Sequence, residues 1–260
     1  MENRLTIKEE AYLKGIGLHS GKTVSIKFKP TQVNTGIKFT RVDLPGTPSV
    51  VLGYSQIEKL GGESRQTNLS KNDVKIKTIE HLTASLWALS IDDIEIAIDG
   101  EEFPIMDGSS IEILHTLKGA GLKDLGLSKK NLDIKEPLFC EADSADIVAF
   151  PNPFLKVSYL LNFEKSGIAP QYLSISFDNP ATRREIFEKE LASARTFCFE
   201  SEVEAILKRG LGKGGNCDNG LVIGKDGNII KNKLRFKDEF ARHKLTDLIG
   251  DLFMLGIPVK

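Results

Sequence analysis

TIEHLTASLWALSIDDIEIAIDG, residues 78–100, changes its period partway along. Ile79, Leu82, Leu86 and Leu89 recur at steps of three and four, which stacks them on one face of a helix with Thr78 as candidate cap. Ile94, Ile96 and Ile98 then alternate as in a half-buried strand, closed by an Asp99-Gly100 turn. Upstream, TVSIKFK (23–29) alternates in the same way through Val24, Ile26 and Phe28. Downstream, DGSS leads into IEILHTLKGAG, a second predicted helix ending at Gly119. The stretch 119–131, GAGLKDLGLSKKN, has no sustained period and is the best candidate for a domain boundary.

Beyond it the mixture repeats. LKVSYLLNF (155–163) and YLSISF (172–177) are expected strands, and ATRREIFEKELASA (181–194) is an expected helix. Ser201 and Glu204 make a capping box for SEVEAILKR, which Gly210 would end. GLVIG (220–224) is a short strand, and DEFARHKLTDLIGDLF (238–253) is the last helix. The pattern is that of two α+β halves rather than regular βαβ repeats.

A chain of 260 residues, 40% hydrophobic, suffices for one large domain or two ordinary ones. Its 35 basic and 36 acidic residues leave a net charge of −1, so no bulk attraction to nucleic acid or anionic membrane is implied. Cys140, Cys198 and Cys217 are far apart and form no C-x-x-C pair, which argues against a disulfide framework or a thiolate zinc site. No export signal and no spanning apolar run occurs, so a soluble cytoplasmic protein is expected. GIGLHSGKT (15–23) has one residue too many for a phosphate-binding loop and runs into a strand, and GLGKGG (210–215) reads as a helix end and loop.

The four histidines permit a metal hypothesis to be tested by enumeration. On the last helix, His243, Asp247 and Asp251 lie one turn apart and opposite the apolar face of Ala241, Leu245, Leu248, Ile249 and Leu252. The helix alone favours a solvated stripe. Residues 243 and 251 are ~12 Å apart along the axis, so these three cannot all bind one ion. His243 and Asp247 can supply two ligands, with Asp251 left as an orienting group. His81 sits in the first turn of its helix, where the dipole keeps an imidazole neutral, as a metal requires, and Glu80 is beside it. His115 reads as structural, and His19 lies in a glycine-flanked turn with either backbone or substrate contacts open to it.

TIEHL (78–82), GIGLHSG (15–21), PIMDGS (104–109), SARTF (193–197) and RFKDEFARHKLTDLIGDL (235–252) stand in the order and approximate spacing of one family. The sequence closely resembles the UDP-3-O-acyl-N-acetylglucosamine deacetylases, zinc amidases that commit bacteria to lipid A synthesis. The resemblance implies zinc held by His81, His243 and Asp247, with water as the fourth ligand and Glu80 as general base. It implies Thr196 as donor to the oxyanion, Lys244 on the substrate diphosphate, Phe197 against the sugar or nucleotide, and a supporting place for His19 in substrate binding. The implied fold is α+β in two domains, each a two-layer α/β sandwich, 1–124 carrying Glu80 and His81 and 125–260 carrying Thr196, His243 and Asp247. The site lies at their interface, and an insert within about 199–233 forms an acyl-chain passage. The implied partner is a UDP-linked acylated glucosamine, handled by a monomer without nucleic acid or a membrane span.

Family members continue past the position of Lys260 into a Lys-x-Gly-His motif, whose histidine is held by the residue matching Asp251. The expectation is therefore a second domain incomplete at its C-terminus, with zinc ligands present and the acid side of the chemistry absent. The alternatives are a metal amidase for another substrate and a non-catalytic homologue that binds zinc and the UDP-acyl-sugar without efficient turnover.

Overall fold

The computed structural model describes residues 2–58, 66–72, 74–142, 145–163 and 167–259. The chain begins with β1 (Asn3–Ile7), β2 (Ala11–Ile16), β3 (Thr23–Lys29), β4 (Ile37–Arg41) and β5 (Ser49–Val51). A short antiparallel pair, β6 (Leu69–Lys71) and β7 (Val74–Ile76), precedes α1 (Glu80–Ala88), β8 (Ile94–Ile98), α2 (Ile111–Gly119) and β9 (Leu122–Ser128). The main sheet has the order β2-β3-β8-β4-β5, with β4 and β8 parallel and the other neighbours antiparallel.

The change of period in 78–100 marks the junction of α1 and β8. All nine residues of α1 are buried, so this helix is a core rod rather than a half-exposed one. Its hydroxyls do not need water: Thr83 Oγ1 donates to the Ile79 carbonyl (3.1 Å) and Ser85 Oγ to the His81 carbonyl (2.8 Å). Thr78 is not the cap. Ile79 occupies that position, and Thr78 sits at φ 57° with its hydroxyl toward Gln66 and Glu102. The segment 119–131 is also more ordered than its lack of period suggests. Residues 122–128 form β9, antiparallel to β1, held by a ladder that demands no particular side chains.

The rest of the chain supplies β10 (Leu138–Ala142), β11 (Ala145–Ala149), β12 (Leu155–Phe163), β13 (Ile168–Phe177) and α3 (Pro180–Glu190). These are followed by β14 (Phe197–Phe199), α4 (Glu200–Lys208), β15 (Leu221–Ile223), β16 (Ile229–Ile230) and α5 (Glu239–Phe253). β12 pairs antiparallel with β13, and β14 runs parallel to β15. Asn179 caps α3 by accepting from Ala181 N at 2.9 Å. The start of α4 lies earlier than the Ser201/Glu204 box predicts: Phe199 is its N-cap residue, and Glu202 accepts from Phe199 N at 3.2 Å. Gly210, at φ 75°, ends α4 as expected.

One buried apolar core runs from Ile7 to Met254 and draws on α1, α3 and α5 together; a smaller one joins Leu161, Ile168, Leu221 and Ile223 to Phe240 and Ala241 of α5. Trp87 anchors the larger core by edge contacts to Phe177 (4.8 Å) and Phe187 (6.4 Å). Where α5 crosses α1 the backbones nearly touch. A Cβ on Gly250 would stand 2.1 Å from the Glu80 carbonyl oxygen and 2.8 Å from Thr83 Oγ1. Among the described residues, no helix is long and apolar enough to cross a membrane.

Gly250→Ala is therefore expected to lower stability by about 1–3 kcal/mol through overpacking, despite the better helix propensity of alanine. Denaturant unfolding of the variant beside the parent chain measures it.

Candidate metal centre

The crossing at Gly250 lays the first turn of α1 against the middle of α5. His81 and His243 meet edge to face with ring centroids 5.0 Å apart. Asp247 lies between them: its Oδ1 is 3.5 Å from His81 Nε2 and its Oδ2 3.5 Å from His243 Nε2. One potential ligand atom from each of the three falls within 4.8 Å of the other two. Donors held ~2 Å from one tetrahedral ion stand ~3–4 Å apart, so the cluster is close to the spacing a single ion requires. Asp247 Oδ1 is buried and has no hydrogen-bond partner, an acceptor left open toward the cluster. Asp251 lies outside this group of three, as the helical rise demands.

The surrounding contacts fix the donors. His243 Nδ1 is 3.3 Å from the Ala194 carbonyl, which can only accept; Nδ1 therefore carries the proton and Nε2 presents its lone pair to the cluster. The start of α5 is held by a buried ion pair, Arg195 Nε to Glu239 Oε1 at 2.9 Å, with Arg195 also donating to Asn232 at 3.1 Å. That strut ties SARTF to α5 and sets Phe197 6.1 Å from the His243 ring. The polar stripe of α5 is thus covered at His243, which is 4% exposed, half-buried at Asp247, and exposed only at Asp251.

Burial and crowding separate the acids. Burial pushes the Glu80 carboxyl up to about 7, with the neighbouring Asp247 charge adding to the rise. Asp247 is driven far down even though burial opposes it, because His243, Lys244 and His81 surround it. Burial takes His243 down to about 4. His81 departs from the sequence expectation of a ring kept neutral by the helix dipole. Burial lowers it, but the close carboxylate of Asp247, with the charge of Glu80, raises it overall. Asp251 stands at the cavity rim, where protein crowding around its carboxyl and the Asp247 charge lift it to about 6 against a hydrogen bond from Thr67.

A cavity of about 540 Å³ opens from the cluster. Thr196, Phe197, Lys244 and His19 all line it, as do Glu80 and Asp251. Its far wall comes from the region 199–233, with Val203, Ile206 and Leu207 of α4 turned inward. The near wall is closed where Gly214 N donates to the Leu18 carbonyl (3.0 Å) and Lys213 N to that of His19 (3.3 Å). His19 Nδ1 is buried without a partner, and burial lowers its pKa against the pull of Glu102. Lys244 Nζ sits on Asp247 Oδ2 at 2.9 Å. His115 takes no part: it is exposed and pairs with Glu188 at 2.9 Å. Sequence reasoning missed two contacts, the Arg195–Glu239 strut and the approach of Thr67 to Glu80 and Asp251. Arg195 was within a quoted motif, but Thr67 lies in a loop where no period gives a signal.

Two imidazoles and a carboxylate with an open acceptor, beside a second buried carboxylate, describe a mixed α/β protein with a candidate catalytic metal centre. A sequence model of the UDP-3-O-acyl N-acetylglycosamine deacetylase family matches residues 4–260. A protein of Citrifermentans bemidjiense named UDP-3-O-acyl-N-acetylglucosamine deacetylase is 37% identical over 251 residues, 96% of this chain and 80% of that protein. Proteins of the same name from Thermodesulfovibrio yellowstonii and Bdellovibrio bacteriovorus are 37% and 34% identical, across 98% of this chain and 84% and 82% of theirs. The chain belongs to the UDP-3-O-acyl-N-acetylglucosamine deacetylase family.

The raised Glu80 carboxyl predicts a pH signature in the metal-free protein. A folded-state pKa of about 7 against the ordinary 4.5 makes the folded chain bind the extra proton between those values, so stability falls as pH rises through that window. Glu80→Gln should be more stable than the parent by on the order of 3 kcal/mol above pH 7, with the gain vanishing below about pH 4.5. Denaturant midpoints across pH 4–8 measure it.

Proposed function

We propose that this chain is a zinc-dependent amidohydrolase that removes the N-acetyl group of UDP-3-O-(3-hydroxyacyl)-N-acetylglucosamine in lipid A biosynthesis, working in the cytoplasm. The observation that carries this reading is the convergence of His81, His243 and Asp247 with an unpartnered Asp247 oxygen, beside a buried Glu80 at the mouth of an apolar cavity. Family membership and the names of the relatives support the substrate class. The two α+β domains are then divided near 124/125 as the sequence suggests, with the break placed at the end of β9 because Ser128 still pairs with Asn3 of β1, and the cluster lies where the two meet.

The donor set suits zinc: two neutral-capable imidazoles and one carboxylate leave an open coordination position, the composition of catalytic rather than structural sites. When bound, the ion supplies Lewis acidity, which polarises the amide carbonyl and makes water more acidic. Glu80 takes the proton of the attacking water; a carboxyl lifted toward 7 by burial is a stronger base than an exposed one and is suited to work near neutral pH. The Thr196 hydroxyl donates to the oxygen that gains charge as the carbonyl is attacked. Phe197 packs against the sugar or nucleotide, and His19 meets the substrate from the opposite wall. Lys244 exchanges its contact with Asp247 for the diphosphate, a compact cation suited to a flexible anion. Val203, Ile206 and Leu207 hold the acyl chain in the cavity. The proton that Glu80 has taken is returned to the leaving amine as the C–N bond breaks, and Asp251, at the rim, is placed to orient the groups at that end of the site.

Purified protein should carry about one zinc per chain, and His81→Ala or Asp247→Ala should lose it, since each removes one of three ligands. Full metal retention in both variants overturns the site assignment. Glu80→Ala should keep the metal and lower acetate release by about 10²–10⁴-fold. The non-acylated UDP-N-acetylglucosamine should be a far poorer substrate than the acylated one; equal turnover would point to an amidase for another substrate.

A further inference from the structure

One hydrogen-bond donor to the Glu80 carboxyl, Thr67, comes from outside every motif of the sequence. Thr67 spends all three of its polar groups on the two helices that carry the site. Its backbone N–H donates to Glu80 Oε2 at 3.3 Å, its carbonyl accepts from Ile79 N at 3.4 Å, and its hydroxyl donates to Asp251 Oδ1 at 2.7 Å. Ile79 is the N-cap position of α1, and Asp251 lies in the last turn of α5. The next residue, Asn68, is 2% exposed and fastened by its side chain to Glu58 at 3.1 Å, so the segment is anchored beyond Thr67 as well.

From this we infer that Thr67 is a positioning residue: its hydroxyl, clamped by Asp251, holds the backbone N–H that orients the Glu80 carboxylate. The inference rests on the proposed role of Glu80 as base. A carboxylate buried beside Asp247 has a strong reason to swing away from it, and the hydrogen bond from Thr67 opposes that swing. The clamp also gives Asp251 a second task, since its carboxylate then sets the geometry of a group on the other helix.

Two variants separate the hydroxyl from the shape of the side chain. Thr67→Val keeps the volume and loses the donor, while Thr67→Ser keeps the donor. With the zinc-loaded chain, Thr67→Val should lower kcat about 10–100-fold and leave KM within about twofold, and Thr67→Ser should restore kcat to within about threefold. A valine variant with unchanged kcat, or a serine variant no better than valine, overturns the inference. A second measurement needs no activity: unfolding of the zinc-free chain, with Thr67→Val made in the parent, in Asp251→Ala and in Glu80→Gln. The clamp predicts that the valine substitution costs less stability in both altered backgrounds than in the parent. Equal costs in all three overturn it. If the parent chain releases no acetate while the unfolding data show coupling, the proposed function fails and the clamp stands.

Discussion

The close crossing of α1 and α5 at Gly250 is the constraint on which the rest depends. The candidate ligand set is divided between residue 81 and residues 243 and 247, so no local turn or loop can assemble it. Only two helices lying backbone to backbone bring His81 within 3.5 Å of Asp247, and a side chain at Gly250 would hold them apart. Everything else around the centre fixes the rotation and slide of these two rods. The Arg195–Glu239 pair sets the start of α5, and Trp87 packs the far end of α1 against Phe177 and Phe187. The Ala194 carbonyl selects which nitrogen of His243 faces the cluster.

Such a centre is costly to build. Glu80, His81, His243 and Asp247 are removed from water within a few ångströms of one another, and burying ionisable groups rarely contributes net stability. The arrangement makes chemical sense because it pushes like groups apart. Asp247, ringed by His243 and Lys244, stays ionised; Glu80 and Asp251 are shifted upward by burial and by the Asp247 charge, which outweigh the cations near them. Carboxyls shifted in opposite directions by their surroundings suit an acid–base site. The contact of Lys244 with Asp247 belongs to the same economy, one local cation offsetting one buried anion until a stronger partner arrives.

Much of the fold was legible because its signals are local. The helix of TIEHLTASLWAL, the strand LKVSYLLNF and the end of α4 at Gly210 follow from periodicity and turn chemistry, and the structure agrees within a residue or two. What failed were features decided by partners distant in sequence. The cap at Thr78 lost to a left-handed backbone that carries its hydroxyl to Glu102, and β9 appears where no period exists because β1 supplies its ladder. The His81 dipole argument lost to a carboxylate 166 residues away in the chain. Helical spacing offers His243 and Asp247 as a pair, and only the order of the motifs joins His81 to them. A wheel alone reads the stripe of α5 as surface, because it cannot show that α1 packs over His243 and Asp247. Thr67 was invisible for the converse reason: a loop residue acting through backbone atoms leaves no trace in composition.

The split between the two halves of the ligand set also has a consequence in time. A chain emerging from the ribosome displays His81 and Glu80 early, but the cluster does not exist until α5 has been made and laid across α1. Until then the first half offers only His81 of the three candidate ligands. For the proposed ligand set, capture of an ion is thus ordered after synthesis of α5, which carries two of its three donors.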